Sequence, residues 1–170
     1  MQPKFEFTDE TTTVMGHTLK RIRALRSFGG ANAGDLGGWI EKEENLSHER
    51  NSWVYDDAQV SGDAQVYDDA QVYGGAWVFG GARVYGGAQI CNQRHIDVIP
   101  HIGSRNGTTT FFRTADSKIW VNCGCFSGDI DRFAAAVKKT HGNNKHAQDY
   151  AAAIARAKAW IDLSGEEPDA

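Results

Sequence analysis

Between Trp53 and Ile90 the chain repeats every six residues without a gap, as WVYDDA, QVSGDA, QVYDDA, QVYGGA, WVFGGA and RVYGGA. Val54, Val60, Val66, Val72, Val78, Val84 and Ile90 hold one position of this repeat, and Ala58, Ala64, Ala70, Ala76, Ala82 and Ala88 each stand two residues before one of them. Residues two apart on an extended chain face the same way, so each A-x-V marks the inward side of a short strand. The Asp-Asp, Gly-Asp or Gly-Gly pair between strands supplies a turn, because both residue types tolerate left-handed backbone. An α-helix is excluded: a six-residue period drifts around a 3.6-residue helix, and each interior glycine would cost about 1 kcal/mol. A flat meander would leave strands of only about four residues. A parallel β-helix satisfies the pattern, with three segments per triangular coil, position n on position n + 18, and rungs about 4.8 Å apart.

This repeat resembles that of left-handed hexapeptide-repeat helices, and the resemblance implies the handedness. Stacking by 18 sets Asp56 and Asp57 over Gly74 and Gly75, and Asp68 and Asp69 over Gly86 and Gly87, so like charges do not stack. It also sets Tyr55 on Tyr73, Tyr67 on Tyr85 and Ser61 beside Phe79, giving aromatic ridges that either shield the corners or anchor a partner. Ile40 and Leu46 are six apart but two residues out of phase with Val54, which predicts an imperfect first coil with a small insertion. So short a stack exposes unpaired strand edges at both ends and needs caps.

The flanks supply candidate caps. KFEFT and TLKRIRALRSF read as strands before the coil, and the glycine-rich GGANAGDLGGWI as the turn-laden lead-in to it, without a phosphate-loop lysine or dinucleotide fingerprint. After the coil, HIDVIPHIG, TTTFFRT and KIWVNCGCF read as three strands. A helix over 129–140, capped by Ser127 or Asp129 and stopped at Gly142, and a second over 145–163 follow, with a frayed tail SGEEPDA. The expected architecture is mainly β with an α+β cap. N-terminal strands over 1–33 precede a short left-handed parallel β-helix over 34–92, and a C-terminal module over 93–170 holds a small sheet and two helices.

The 170 residues carry a net charge of −4 and three cysteines. An odd cysteine count argues against a disulfide framework, and no apolar run is long enough to span a bilayer. With a polar start that lacks signal-peptide features, a cytoplasmic protein is expected. The coil holds the charge asymmetry: residues 51–92 have one basic and five acidic groups, whereas the flanks nearly balance.

Four constellations bear on chemistry. Tyr55, Asp56, Asp57, Asp63, Tyr67, Asp68 and Asp69 make the coil surface acidic and tyrosine-rich, suited to a basic partner. Arg21, Arg23, Arg105 and Arg113 are the candidate anion ligands; Lys20, Arg21, Arg23 and Arg26 otherwise read as a solvated strand face, and His101 joins Arg105 and Arg113 as an alternative pocket. Cys123 and Cys125 with His141 and His146 form a conceivable zinc set, but C-x-C is a poor spacing for structural zinc, and small buried thiols are the favoured reading. Cys125 with His141 or His95 lacks a third orienting residue for nucleophilic catalysis. The hexapeptide fold also invites an acyltransferase reading, yet no histidine occurs between Trp53 and Ile90, and only His48 lies near the coil.

The stretch LKRIRALRSFGGANAGDLGGWIEKEENLSHERNSWVYDDAQV with the QVYGGA-type units resembles a group of small phage and prophage proteins, and GCFSGDIDRFAAAVKKTHGNNKHAQDYAAAI resembles a module found on them. The resemblance transfers no catalytic residue and implies no cofactor. It implies a phage protein expressed in a host bacterial cell. The expected function is non-enzymatic: inhibition of a host defence complex, as anti-CRISPR proteins do, by binding a host protein or nucleoprotein complex. The alternatives are an oligomeric sponge for a nucleotide immune signal and a hexapeptide-repeat acyltransferase. A homo-oligomer, most simply a dimer, is expected, with no membrane association and no direct nucleic-acid binding.

Overall fold

A computed structural model describes residues 2–164. The chain is mainly β, with two C-terminal helices, and between Trp53 and Ile90 it forms two-residue strands: β4 Trp53–Val54, β5 Gln59–Val60, β6 Gln65–Val66, β7 Gln71–Val72, β8 Trp77–Val78, β9 Arg83–Val84 and β10 Gln89–Ile90. Before them stand β1 Phe5–Val14, β2 His17–Ala24 and β3 Leu36–Ile40; after them come β11 Ile96–Ile102, β12 Gly107–Arg113, β13 Ile119–Cys123, β14 Phe126–Asp129, α1 Ile130–His141 and α2 Lys145–Trp160.

The short strands pair in parallel, each with the strand three further on: Val54 with Val72 and Val72 with Ile90, Val60 with Val78, and Val66 with Val84. The chain thus passes through three ladders in turn and advances one rung every 18 residues. Every repeat alanine from Ala58 to Ala88 and every repeat valine is at most 2% exposed. The amides that leave each strand are satisfied by the next rung, as in Gln59 N–H to Ala76 O at 3.0 Å and Tyr67 N–H to Val84 O at 3.0 Å. Each turn closes on itself, with Ala58 N–H on Tyr55 O, and its first central residue is left-handed: Asp56, Gly62, Asp68, Gly74, Gly80 and Gly86 have φ between 52° and 65°. Only residues that tolerate this conformation occupy the position.

The first coil is irregular as the phase of Ile40 and Leu46 predicts. Ile40 pairs with Val60 and Leu46 bridges Val66, both 20 residues apart rather than 18. Buried Asn45 stitches the irregular turn: its Oδ1 accepts from Lys42 N–H at 2.8 Å, and its Nδ2 donates to Ala64 O at 2.8 Å. Gly37 and Gly38 explain the glycine pair of DLGGWI. A Cβ on Gly38 would lie 2.5 Å from Ala58 O, and one on Gly37 would lie 2.7 Å from Ile22 and Trp53 side-chain atoms.

Both open ends are covered. The β1–β2 hairpin pairs through β2 with β3, which continues the ladder β3-β5-β8, so hairpin and coil share one core from Phe5 to Phe112. The hairpin is longer than KFEFT and TLKRIRALRSF suggest, because Thr11, Thr12 and Thr13 pair with Lys20, Leu19 and Thr18 although they carry no hydrophobic alternation. At the other end the antiparallel sheet β11-β12-β13-β14 lies across the last coil, tied by the Ala88–Thr114 bridge and Ala115 N–H to Gly87 O. On β12 the adjacent Phe111 and Phe112 are both fully buried, Phe112 in the coil core and Phe111 in a second core with α1 and α2.

KIWVNCGCF is not one strand. Gly124 takes φ 56°, and the chain reverses so that Cys123 pairs with Phe126. Asp129 caps α1 by accepting from Arg132 N–H, and Gly142 ends it. α2 stops at Trp160, short of Leu163, because the indole donates to Gln93 O and Ile96 O while Arg94 lies over its ring at 4.6 Å. The sequence-based tail falls, beyond Ser164, outside the described residues.

Fully buried Lys4 fixes the hairpin to the coil, its ammonium donating to Ser52 O at 2.7 Å and Ser52 Oγ at 3.1 Å. Burial, aided by the Arg26 charge, pulls its pKa down to about 8.

Two outcomes follow from this packing. Gly38→Ala should lower the unfolding free energy by about 1–3 kcal/mol in urea titrations, whereas Gly87→Ala, with nothing near its Cβ position, should change it by less than about 0.5 kcal/mol. Unfolded lysine keeps its proton to about 10.4 while folded Lys4 loses it near 8, so the folded state binds fewer protons in that window. Wild-type stability should therefore rise relative to Lys4→Met between pH 8 and 10; equal slopes in parallel denaturation series would refute the assignment.

Candidate functional site

The inward alanine and valine positions are fixed by packing, while the turns and the outward side chains of each rung vary. The turn between β4 and β5 carries Asp56 and Asp57, that between β5 and β6 carries Asp63, and that between β6 and β7 carries Asp68 and Asp69. Since β4, β5 and β6 belong to three different ladders, these carboxylates lie on three different corners and not on one face.

The corners differ in what surrounds them. Asp63 accepts from the Lys42 ammonium at 2.7 Å, which holds its carboxyl below the usual range. Asp68 and Asp69 lie 3.8 and 3.9 Å from the Arg50 guanidinium, and Asn51 donates to Asp69. Among the described residues, Asp56 and Asp57 pair with no basic side chain.

The tyrosine ridges are present as the 18-residue stacking predicts. Tyr55 lies on Tyr73 at 4.5 Å with planes 8° apart, and Tyr67 on Tyr85 at 5.0 Å and 12°. The second ridge is absorbed by the C-terminal sheet: the Tyr85 hydroxyl accepts from Trp120 Nε1 at 3.3 Å and meets Ser127 Oγ. The first ridge adjoins the unpaired carboxylates. Its Tyr55 is half-buried, and its pKa is pushed up to about 12 by that burial, with the Tyr73, Asp35 and Asp56 charges adding to it. Ser61 accepts from Trp77 Nε1 at 3.3 Å, and Phe79 leans on the Trp77 ring.

The arginines are not gathered. Arg21 reaches Gly37 O and Glu10, and Arg23 reaches Glu6, all at the N-terminal end of the coil. Arg105 and Arg113 belong to the module at the opposite end. Arg113 is also unsuited to a ligand: it is 6% exposed, with Nη1 2.9 Å from His95 Nε2 and Nη2 near Ser117, so it is committed to the interior. His101 is left-handed and contacts Asn106.

The favoured reading of Cys123 and Cys125 as small buried thiols is corrected, since Cys123 is only partly buried and Cys125 is exposed, and the less favoured zinc set is not assembled either. Because the chain turns at Gly124, Cys123 ends one strand while exposed Cys125 sits in the turn, and the two thiols do not share a strand face. Cys123 Sγ takes the Thr109 hydroxyl at 3.1 Å and lies 3.5 Å from the Tyr150 hydroxyl. The His141 and His146 rings stand 5.5 Å apart. Among the described residues, no three histidine, cysteine, aspartate or glutamate side chains are grouped to hold a metal ion. What the fold does gather is Arg105, Cys123, Cys125 and His141 around one cavity of about 280 Å³, which the hairpin turn at Gly124 creates and a straight-strand reading misses.

His48, the histidine nearest the coil, has both nitrogens engaged, Nδ1 by the Lys4 amide and Nε2 with Glu43, and its ring stacks on Phe5 at 4.4 Å. It is placed as packing and not as a projecting base. Sequence reasoning did not single out His17, whose Nδ1 lies 2.9 Å from Glu41 while that carboxylate accepts from Gly62 N–H. A histidine 24 residues from its carboxylate, across two strands, leaves no local signal. Among the described residues no helix is long and apolar enough to cross a membrane.

No family model matches the chain. A stretch of 43 residues, 25% of the chain, is 40% identical to an Escherichia coli protein described as "Uncharacterized acetyltransferase YdcK". That stretch spans 13% of the Escherichia coli protein, so the chain corresponds to a small part of it.

Tyr55 owes its raised pKa first to burial in the stack, so Tyr73→Ala should move its titration from about 12 back toward 10 in ultraviolet titrations compared against Tyr55→Phe. An unmoved step would show that Tyr73 does not bury Tyr55.

Proposed function

We propose that this chain is a phage-encoded, non-enzymatic binding protein that inhibits a host defence complex in the manner of an anti-CRISPR protein, and that its binding surface is the Tyr55–Asp57 corner. The observation that carries the reading is local. At the first position of the six turns, four have glycine and two have aspartate, the residue that combines tolerance of a positive φ with a charge. Asp68 has Arg50 beside it, whereas Asp56 has no such partner among the described residues. An exposed carboxylate without a basic neighbour, next to a stacked tyrosine pair, is available to a basic partner. Asp57 doubles the charge there.

The scaffold in this reading is a left-handed parallel β-helix of the hexapeptide-repeat class. Parallel registers stepping by 18 residues and the inward alanine and valine support the helix; handedness comes from the type of repeat. The protein works in the host cytoplasm as a homodimer, for which the apolar groove between α1 and α2, lined by Val137, Ala147, Ala151 and Ile154, is the available face.

A specific observation favours a second reading, acyl transfer: the short match to a protein described as an acetyltransferase. Against it stand a coil without a projecting histidine and the engagement of both His48 nitrogens. A nucleotide sponge built on Arg21, Arg23, Arg105 and Arg113 is less well supported, because the fold sends them to opposite ends and buries Arg113.

Expressed in a bacterium with an active CRISPR system, the protein should restore plaque formation by a targeted phage. Asp56→Asn with Asp57→Asn should reduce that restoration by about tenfold or more, and Asp68→Asn with Asp69→Asn should reduce it much less. Failure to restore plaques would remove the anti-CRISPR reading, and equal effects of the two pairs would remove the assignment to this corner. Saturable acetyl-CoA binding in calorimetry would instead favour the transferase.

A further inference from the structure

The cavity of about 280 Å³ in the C-terminal module lies where the β11–β12 loop, the β13–β14 turn and the last turn of α1 converge. Its wall includes Ile102, Phe126, Phe133 and Val137, so a ligand entering it meets aromatic and aliphatic surface. Its lining holds the Arg105 guanidinium and the His141 imidazole but no aspartate or glutamate; Cys123, Cys125 and Tyr150 are its other ionisable groups. Arg105 makes no ion pair with another described residue, in contrast to Arg21 and Arg23, which reach carboxylates.

The loop side of the cavity rests on left-handed backbone. His101, near the end of β11, and Gly103 and Asn106 in the β11–β12 loop all have positive φ, at 55°, 81° and 51°. Gly103 is required there, because the Tyr150 hydroxyl lies 1.9 Å from where its Cβ would be. Tyr150 in turn is held beside Cys123, which takes the Thr109 hydroxyl. Thr109, Cys123 and Tyr150 thus engage one another, while Arg105 is exposed beside them.

We propose that this cavity binds a small organic anion, with its carboxylate or phosphate on Arg105 and its apolar body against Phe126 and Phe133. The volume is near the lower end for small-molecule sites, which limits the ligand to about the size of a mononucleotide or less. An inorganic anion would leave the aromatic wall unused, and a cation would face a guanidinium with no compensating carboxylate. The carbonyl end of α1 disfavours negative charge beside His141, so the anionic head belongs at the loop side of the cavity. The site is at the end of the coil opposite the acidic corner and stands independently of what that corner binds.

Calorimetry on the full chain with phenyl phosphate, phenylacetate, benzyl alcohol and inorganic phosphate tests this. Phenyl phosphate or phenylacetate should bind saturably, and benzyl alcohol and inorganic phosphate at least tenfold more weakly; the stronger of the first two identifies the head group. Arg105→Gln should weaken the better ligand at least tenfold, and Ala136→Phe, which fills the cavity from α1, should abolish binding while the circular dichroism spectrum is kept. Asp56→Asn with Asp57→Asn should leave it unchanged. Absence of saturable binding by both organic anions, inorganic phosphate binding as tightly as they do, or full affinity in Arg105→Gln would each overturn the proposal.

Discussion

The inward stack of alanine and valine rungs sets the terms for everything else in the molecule. Each rung contributes only two strand residues, too few to hold a strand by hydrogen bonds alone. Burial of the side chains from Ala58 to Ile90 at 0–2% exposure, repeated in three ladders, makes those short strands cooperative. The same interior is small and, between Ala58 and Ile90, wholly apolar, so function has to lie on the turns, on the outward side chains of the rungs or beyond the ends. A stack of this kind also ends in unpaired edges. One end is covered by continuing its ladder into an antiparallel hairpin, and the other by laying a sheet across it.

Covering the ends is what brings chemistry-bearing residues together. The buried ammonium of Lys4 and the guanidinium of Arg26 seal the hairpin against the 47–52 loop and are not open to a ligand. At the far end, β12 is buried on both sides, and the sheet therefore needs a second layer. α1 and α2 provide it, and the cavity at Arg105 is the gap left where sheet loops and helix ends fail to close completely. The two candidate binding features have different origins: the Tyr55–Asp57 corner comes from variation within the repeat, and the Arg105 cavity from the meeting of two layers.

Particular residues show how much could be read in advance. Rung spacing, the Tyr55–Tyr73 and Tyr67–Tyr85 stacks and the two-residue phase slip at Ile40 and Leu46 were legible, and the α1 cap was narrowed to Ser127 or Asp129, because each follows from a period or a cap rule acting on neighbours in sequence. The extended hairpin at Thr11–Thr13, strand β14 in FSGD, and the break at Gly124 were not. Those segments carry no apolar alternation, and their conformation is imposed by the strands they pair with. For the same reason Cys123 and Cys125 read as small buried thiols although the turn exposes Cys125, and Arg113 reads as available although folding buries it against His95.

The sequence by itself determined the 18-residue stacking, the position of each turn and which turns carry aspartate, because a strict six-residue period leaves a single way to keep every alanine and valine inside. Tertiary structure alone decided which carboxylates keep a basic neighbour, which tyrosine ridge stays at the corner, and which arginine remains at a cavity mouth. Those outcomes depend on contacts between segments far apart in the chain, such as Lys42 with Asp63, Trp120 with Tyr85 and His95 with Arg113, and no local pattern encodes them.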